Sequence, residues 1–249
     1  DTYRANQDLL QEYTSSEVDS LKPEAVDPNG YYTGFDMGPM VMIYNTELVP
    51  EDEAPTKWSD LLDEKYKGQI ACADPTSSSS SFACIMSIIL AYGTEDGKGY
   101  DFVEDLVHNL DGKVLSSSSG VYKGVSDGEY MVGLTYEEAA LRYIESGANI
   151  QVVYPEEGLG FGIMGAFIPS EAPNKEAANQ FLNYILEPEN AAKCMDYIGY
   201  YNTIKAADDL VDPNLVVPDS VSKGEIIQNV SAEADEAYNK NWTEFKAAC

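Results

Sequence analysis

The chain has 249 residues, of which 44% are apolar and eighteen are tyrosine, and this is enough to build a sizeable folded core. Its 43 acidic and 15 basic residues give a formal net charge of -28, which disfavours binding to nucleic acid or to anionic lipid surfaces. A single histidine and four cysteines without a CxxC pair argue against a histidine-based catalytic triad, a multi-histidine metal site and a thioredoxin-like motif.

The N-terminal quarter of the chain is predicted to contain short helices and extended segments. A polar start can cap a helix over residues 1–13. Residues 31–35 and 40–45 have the pattern of two extended runs, and the second run is nearly all apolar. We interpret these runs as strands that connect two lobes, and residues 58–63 as a short helix.

Two serine clusters stand where a predicted strand meets a predicted helix. The first separates a buried strand at 69–73 from an apolar helix that ends at Gly93. The second precedes a helix that carries Val121 and Val125 on one face, and either Ser118 or Ser119 can cap that helix. Helix starts with spare hydroxyls attract anions, so we predict an anion site here, with a flexible serine-rich linker as the alternative. The candidate hydroxyls belong to Ser77, Ser78, Ser79, Ser80, Ser117, Ser118 and Ser119.

A short acidic segment follows the next predicted strand. Residues 130–135 form a buried run that ends directly in Tyr136, Glu137 and Glu138. Open α/β sheets bind ligands at the carboxyl ends of their strands, so we predict that these three side chains belong to the same site as the serines.

The middle of the chain alternates between strands and helices. Besides the segments above, helices are predicted at 99–110 and up to residue 144, and strands at 113–115 and 150–154. This alternation predicts an α/β fold with mostly parallel sheets flanked by helices.

Helices are predicted to dominate the rest of the chain, after a glycine-rich crossing between lobes at residues 158–168. Asn174 is predicted to cap one helix, and Pro188 to begin the next. Residues 233–248 form a further amphipathic pattern that we expect to pack on the first lobe. The inward side chains of the first of these helices are expected to be Ala177, Ala178, Phe181 and Ile185.

Five segments carry a resemblance to a known family: YKGQIACADPTSSSSSF, GVYKGVSDGEYMVGLTYEEAA, VVYPEEG, APNKEAANQFLNYIL and GYY. In order and spacing they resemble the iron(III)-type solute-binding proteins of bacterial ABC importers, which have the type 2 periplasmic-binding fold. The resemblance implies two α/β lobes. Because the strand–helix alternation is confined to the middle of the chain, we predict residues 49–160 in lobe two and residues 1–48 and 161–249 in lobe one. The resemblance also implies that the family's opening strands lie before Asp1, so lobe one is expected to be incomplete at its N-terminus.

The resemblance also bears on the ligand. Ferric-binding members hold iron with two adjacent tyrosines after the strand that matches 130–135, and here Glu138 and Ala139 occupy those positions. Both serine clusters match the family's anion-binding loops. The pattern is therefore more similar to relatives that take up phosphorylated sugars or phosphonates. Glu137 or Glu138 would then accept hydrogen bonds from sugar hydroxyls or pair with an amine.

The resemblance implies an extracytoplasmic receptor, in the periplasm or on the cell surface as a lipoprotein, that captures an organophosphate or phosphonate in an interlobe cleft. Its partner would be an ABC importer permease in the membrane, with no nucleic acid and no cofactor. Catalysis is not expected, because the chain lacks a G-x-S-x-G elbow and a histidine placed as a base. The alternatives are a ferric iron carrier that uses Tyr136 and Glu138, a polyamine receptor, and a truncated paralogue without tight binding.

Overall fold

The computed structural model describes residues 4–93, 97–198, 201, 202, 204, 207 and 210, so the predicted helix at 233–248 lies outside the described residues. The chain divides into two compact units. One is built from Asp1–Gly38 together with Ile163–Pro218, and the other contains Pro39–Gly162. Among the described residues, no helix combines the length and the apolar character needed to cross a bilayer.

Four strands form the main part of the sheet: β1 (Thr33–Asn45), β2 (Ile70–Ala71), β3 (Val132–Tyr136) and β4 (Ile150–Val153). Their order is β2-β3-β1-β4. β2 is parallel to β3, whereas β1 is antiparallel to both β3 and β4. β2, β3 and β4 therefore run in the same direction, and β1, which lies between β3 and β4, runs in the opposite direction. This confirms the predicted α/β class, and the sheet is mixed because of β1.

β1 is one continuous strand of 13 residues where two extended runs were predicted. The sequence suggested a break because Gly38 and Pro39 stand between the runs, and proline cannot donate to a strand ladder. The strand continues through them, and the next amide, that of Met40, donates to the carbonyl oxygen of Gly160 at 3.0 Å.

Four helices belong to the unit that contains Pro39–Gly162: α1 (Ser79–Tyr92), α2 (Lys98–Leu110), α3 (Ser118–Ser126) and α4 (Glu137–Glu145). α1 ends at Gly93, which has a positive φ of 96° that glycine adopts without strain. α1 and α2 pack closely at Gly99, where a Cβ atom would lie 2.4 Å from the carbonyl oxygen of Ile89. The predicted strand at 113–115 is reduced to one parallel bridge between Ala73 and Leu115.

α3 and α4 cover one face of the sheet. A buried cluster joins Val41 and Ile43 of β1 to Val121 and Val125 of α3 and to Ala140 of α4. The opening turns of α3 and α4 are thereby fixed relative to the strands.

The other unit contains the strands β5 (Phe161–Ala166) and β6 (Tyr201–Asn202), which both pair with β1, and the helices α5 (Lys175–Leu186) and α6 (Pro188–Ile198). The predicted start of α6 at Pro188 is confirmed. The inward face predicted for α5 is wrong at Ala177, which is exposed, and at Phe181, which is 61% exposed, because Leu182 and Leu186 are the buried residues.

The predicted helix over residues 1–13 is also wrong in its extent. The described part is a 3-10 helix, Arg4–Leu9. It stops there because tertiary pairing competes for the backbone. Leu10 forms a bridge with Pro169, and the amide of Gln11 donates to the carbonyl oxygen of Ile168 at 2.8 Å.

Candidate functional site

The candidate site lies at one edge of the sheet, which we call the carboxyl edge because β2, β3 and β4 all end there. The bridge between Ala73 and Leu115 is parallel, and the amide of Asp74 donates to the carbonyl oxygen of Leu115 at 2.8 Å. The two serine clusters follow these adjacent segments. Both serine-rich helix starts therefore lie at the carboxyl edge, as the sequence predicted.

The first serine cluster opens α1. Ser78 is the N-cap residue, and its hydroxyl oxygen accepts a hydrogen bond from the amide of Ser81 at 3.3 Å. The Ser78 and Ser80 hydroxyl oxygens are also 3.3 Å apart. Ser77 and Ser79 are exposed, and the Ser77 hydroxyl donates to the carbonyl oxygen of Asp74. The first amides of a helix have no intrahelical acceptor, so this start presents amide donors as well as hydroxyls.

The second serine cluster opens α3, and here the predicted cap is wrong by one residue. Ser117 is the N-cap, and its hydroxyl oxygen accepts from the amide of Gly120 at 3.4 Å. Ser118 and Ser119 are the first two residues of the helix, and the Ser119 hydroxyl lies 3.1 Å from that of Ser117. Consecutive serines have equal capping propensity, so the sequence pattern could not distinguish between them.

The acidic segment opens α4 at the end of β3. Tyr136 occupies the N-cap position without a side-chain cap, and Glu137 and Glu138 lie in the first turn, where the helix dipole favours negative charge. Glu137 is only 2% exposed and accepts a hydrogen bond from the hydroxyl of Tyr154. Glu138 forms an ion pair with Arg142 one turn later. The two acids therefore have different partners, and they are not an equivalent pair.

Sequence reasoning missed Tyr154 as a site residue. The signal was available, because Tyr154 is the last residue of the strand predicted at 150–154 and parallel strands end at the same edge; in the structure β4 ends at Val153 and Tyr154 follows it. It also missed Thr135, whose hydroxyl is buried and has no hydrogen-bond partner in the described part of the chain. Thr135 directly precedes Tyr136 in β3, so a buried polar atom without a partner lies beside the start of α4.

The two buried thiols near the carboxyl edge are unsuited to nucleophilic chemistry near neutral pH. Burial raises the pKa of the Cys72 thiol to about 12, although a hydrogen bond with Ser81 lowers it. Burial also raises the pKa of the Cys84 thiol well above its usual value. Both thiols therefore remain protonated, whereas the thiolate is the reactive form.

Metal coordination at this edge has little support in the geometry. The ferric alternative requires Tyr136 and Glu138, and the Glu138 carboxylate is already engaged by Arg142. Among the described residues, no group of three or more His, Cys, Asp or Glu side chains could hold a metal ion. What the described part of this edge presents is a set of serine hydroxyls and helix-start amides at α1 and α3, and a buried carboxylate, that of Glu137, at the start of α4.

The chain is similar in sequence to known solute-binding proteins. The family model described as a bacterial extracellular solute-binding protein matches residues 2–219. The spermidine/putrescine-binding periplasmic protein of Salmonella typhimurium is 27% identical over 244 residues, an alignment that covers 92% of this chain and 68% of that protein. Its Escherichia coli counterpart is 26% identical over 250 residues, which cover 96% of this chain and 70% of the counterpart.

Solved structures support the same fold. The periplasmic binding protein AfuA from Actinobacillus pleuropneumoniae, with exogenous fructose-6-phosphate bound, has a TM-score of 0.81 at 24% identity. The comparison covers 98% of this chain and 79% of AfuA. The spermidine/putrescine transporter substrate-binding protein PotD from Streptococcus pneumoniae has a TM-score of 0.73 at 21% identity, with 98% and 79% of the two chains covered. The two-lobed periplasmic binding fold is therefore the architecture of this chain.

Proposed function

The chain belongs to the family of bacterial extracellular solute-binding proteins, and from this membership we propose that it is the receptor of an ABC importer for a solute with a phosphoryl group. The phosphoryl oxygens would bind at the two serine-rich helix starts. The rest of the solute would extend toward Glu137, Glu138 and Tyr136. Delivery to a membrane permease follows from the same family membership.

One observation carries this proposal: the starts of α1 and α3 follow adjacent parallel segments at the carboxyl edge. Two helix starts beside each other provide a pair of positive dipole ends and two sets of amide donors. Serine hydroxyls add donors that a phosphoryl oxygen accepts. Each hydrogen bond to a charged group contributes about 1.5–3 kcal/mol, so three or four of them contribute about 4.5–12 kcal/mol toward offsetting the entropic cost of association.

The net charge of -28 does not prevent binding of an anion at this edge. Ionic strength screens exposed charges beyond a distance of about 8 Å, so the local helix dipoles and hydroxyls dominate. The fructose-6-phosphate bound by AfuA is a solute of the proposed class, and the similarity to AfuA supports the proposal. A phosphonate that carries an amine also has an anionic end, but its other end is an ammonium group instead of a sugar.

The proposal can be tested with serine hydroxyls that do not cap a helix. We expect isothermal titration of the full chain with fructose 6-phosphate or 2-aminoethylphosphonate to give micromolar binding to at least one of them. Ser80→Ala and Ser119→Ala should each weaken that binding by about tenfold, the equivalent of one charge-assisted hydrogen bond. Ser146→Ala is the matched control. Its hydroxyl donates to the carbonyl oxygen of Tyr143 at the far end of α4, and its loss should leave binding unchanged.

A polyamine is the second candidate, because the curated relatives from Salmonella and Escherichia coli are spermidine/putrescine-binding proteins and this chain is strongly acidic. A cation would be held by carboxylates, so its affinity should be insensitive to the serine substitutions. Binding of putrescine without binding of either phosphorylated solute would contradict the phosphoryl proposal and favour this second function.

A further inference from the structure

Tyr154 reaches the buried acid of the carboxyl edge from a different strand. It follows directly after β4, and β1 separates β4 from β3 in the sheet. Its hydroxyl donates to the Oε1 atom of Glu137 at the start of α4. Tyr154 is 37% exposed, whereas Glu137 is 2% exposed. Tyr154 is therefore the solvent-accessible member of this hydrogen-bonded pair.

The hydrogen bond changes what the tyrosine can offer. A phenolic oxygen that donates its proton still has lone pairs that accept a hydrogen bond. Donation to a carboxylate polarises the hydroxyl, so its oxygen becomes a better acceptor for a second donor. The ring face also attracts cations. These properties favour an ammonium group over a methyl or a hydroxyl group at the same place.

The second acid of the segment is less suited to this task. The Glu138 side chain is 12% exposed and is paired with the guanidinium of Arg142, which offsets its charge. Glu137 lies in the first turn of α4 and accepts the hydrogen bond from the Tyr154 hydroxyl. The acid available at this part of the edge is therefore Glu137, and Tyr154 is hydrogen-bonded to it.

We propose that Tyr154 is a specificity-determining residue that selects solutes carrying an ammonium group opposite their anionic end. The inference rests on the proposed function, since it uses the same edge, and it narrows the solute class to aminophosphonates and related zwitterions. The Tyr154 hydroxyl accepts a hydrogen bond from the ammonium, while Glu137 holds that hydroxyl in place and supplies the negative charge behind it.

The test compares two solutes of equal size on two variants. The probes are 2-aminoethylphosphonate and n-propylphosphonate, which differ by an ammonium in place of a methyl group. Titration of the full chain should show that Tyr154→Phe weakens the binding of 2-aminoethylphosphonate about tenfold and the binding of n-propylphosphonate less than twofold. Tyr92→Phe is the matched control, because the Tyr92 hydroxyl also donates to a carboxylate, that of Glu157 at 2.7 Å. It should leave both affinities unchanged.

A structural role for Tyr154 predicts a different result. If the hydroxyl only ties β4 to α4, Tyr154→Phe will lower the midpoint of thermal unfolding as Tyr92→Phe does and will weaken both solutes by the same factor. Equal losses, or no loss for 2-aminoethylphosphonate, would overturn the inference.

A third probe separates this inference from the proposed function. If the wild-type chain binds putrescine but neither phosphonate, the phosphoryl proposal fails. The recognition of an ammonium group by Tyr154 then stands, without the narrowing to aminophosphonates, if Tyr154→Phe weakens putrescine binding about tenfold, and the whole inference falls if the putrescine affinity is unchanged. Absence of binding by both ammonium-bearing probes would overturn the inference together with the proposed function.

Discussion

Replacing Ser117 by aspartate changes the charge at the start of α3 while it keeps the helix cap. The Ser117 hydroxyl oxygen accepts from the amide of Gly120, and an aspartate carboxylate accepts equally well at an N-cap position. A negative charge at this end also interacts favourably with the helix dipole, by about 0.3–1 kcal/mol. We therefore expect the free energy of unfolding to stay the same or to rise slightly.

The same substitution should severely weaken binding of a phosphoryl group. It removes a hydroxyl donor, which contributes about 1.5–3 kcal/mol when its partner is charged. It also places a carboxylate roughly 4 Å from the phosphoryl oxygens, where like charges repel by about 4 kcal/mol at an effective dielectric constant near 20. Because Ser117 is partly exposed, solvent screens part of this repulsion. A total loss of at least about 3 kcal/mol, more than 100-fold in affinity, is expected.

Isothermal titration and thermal unfolding of the same preparations would measure the two effects separately. Gln151→Glu is the control, because it adds one negative charge at an exposed position within β4. It should change the affinity by less than about twofold, since exposed charges beyond the Debye length are screened. An unchanged phosphoryl affinity in Ser117→Asp would refute the assignment of α3 to the anion site. A raised affinity for putrescine would favour a cation at this edge.

Three further predictions concern stability. Gly99→Ala should destabilise the chain by about 1–3 kcal/mol in urea unfolding, because its Cβ would lie 2.4 Å from the Ile89 carbonyl oxygen. Gly38→Ala is the control: a Cβ at Gly38 meets nothing within 4 Å, so this substitution should be near neutral. Glu157→Ala should lower the free energy of unfolding by about 2–4 kcal/mol, because the carboxylate accepts from the amides of Trp58 and Ser59 and from the Tyr92 hydroxyl. Glu156→Ala is the control, because it removes only an exposed ion pair with Lys57; it should change the free energy of unfolding by about 0.5 kcal/mol or less. The Cys72 thiol has a folded pKa of about 12, above its unfolded value, so its stabilising contribution is present below pH 9 and is lost as pH rises from 9 to 12. Cys72→Ala should therefore flatten the alkaline decline in stability, and an unchanged slope in pH-dependent urea titrations would contradict this.

The helices of the unit that contains the site could be predicted closely from the sequence. The end of α1 is marked by Gly93, and the end of α2 by Asp111, which adopts a left-handed conformation with φ of 53°. Turn residues of this kind stop a helix whatever it packs against, so their signal is local. The convergence of the serine clusters was also predictable, because parallel strands must end at a common edge.

The errors have tertiary causes. The direction of β1 within the sheet depends on partners about 90 to 110 residues away, and no local pattern encodes it. α5 carries apolar residues over a wide arc, so a rotation of about one residue decides whether Phe181 or Leu182 is buried. The contact between Tyr154 and Glu137 joins the ends of two strands, and only the strand order brings them together.

β1 is synthesised well before the strands with which it pairs. Residues 40–44 are buried in the sheet and pair with β3 on one side and β4 on the other, and these partners are synthesised about 90 and about 110 residues later, respectively. At about 5–20 residues per second, this apolar segment waits roughly 5–20 seconds for its neighbours. It contains no proline after Pro39, and an unpaired segment of this kind is a template for aggregation. The formal net charge of -28 on the complete sequence gives copies of the chain a mutual repulsion that opposes such association.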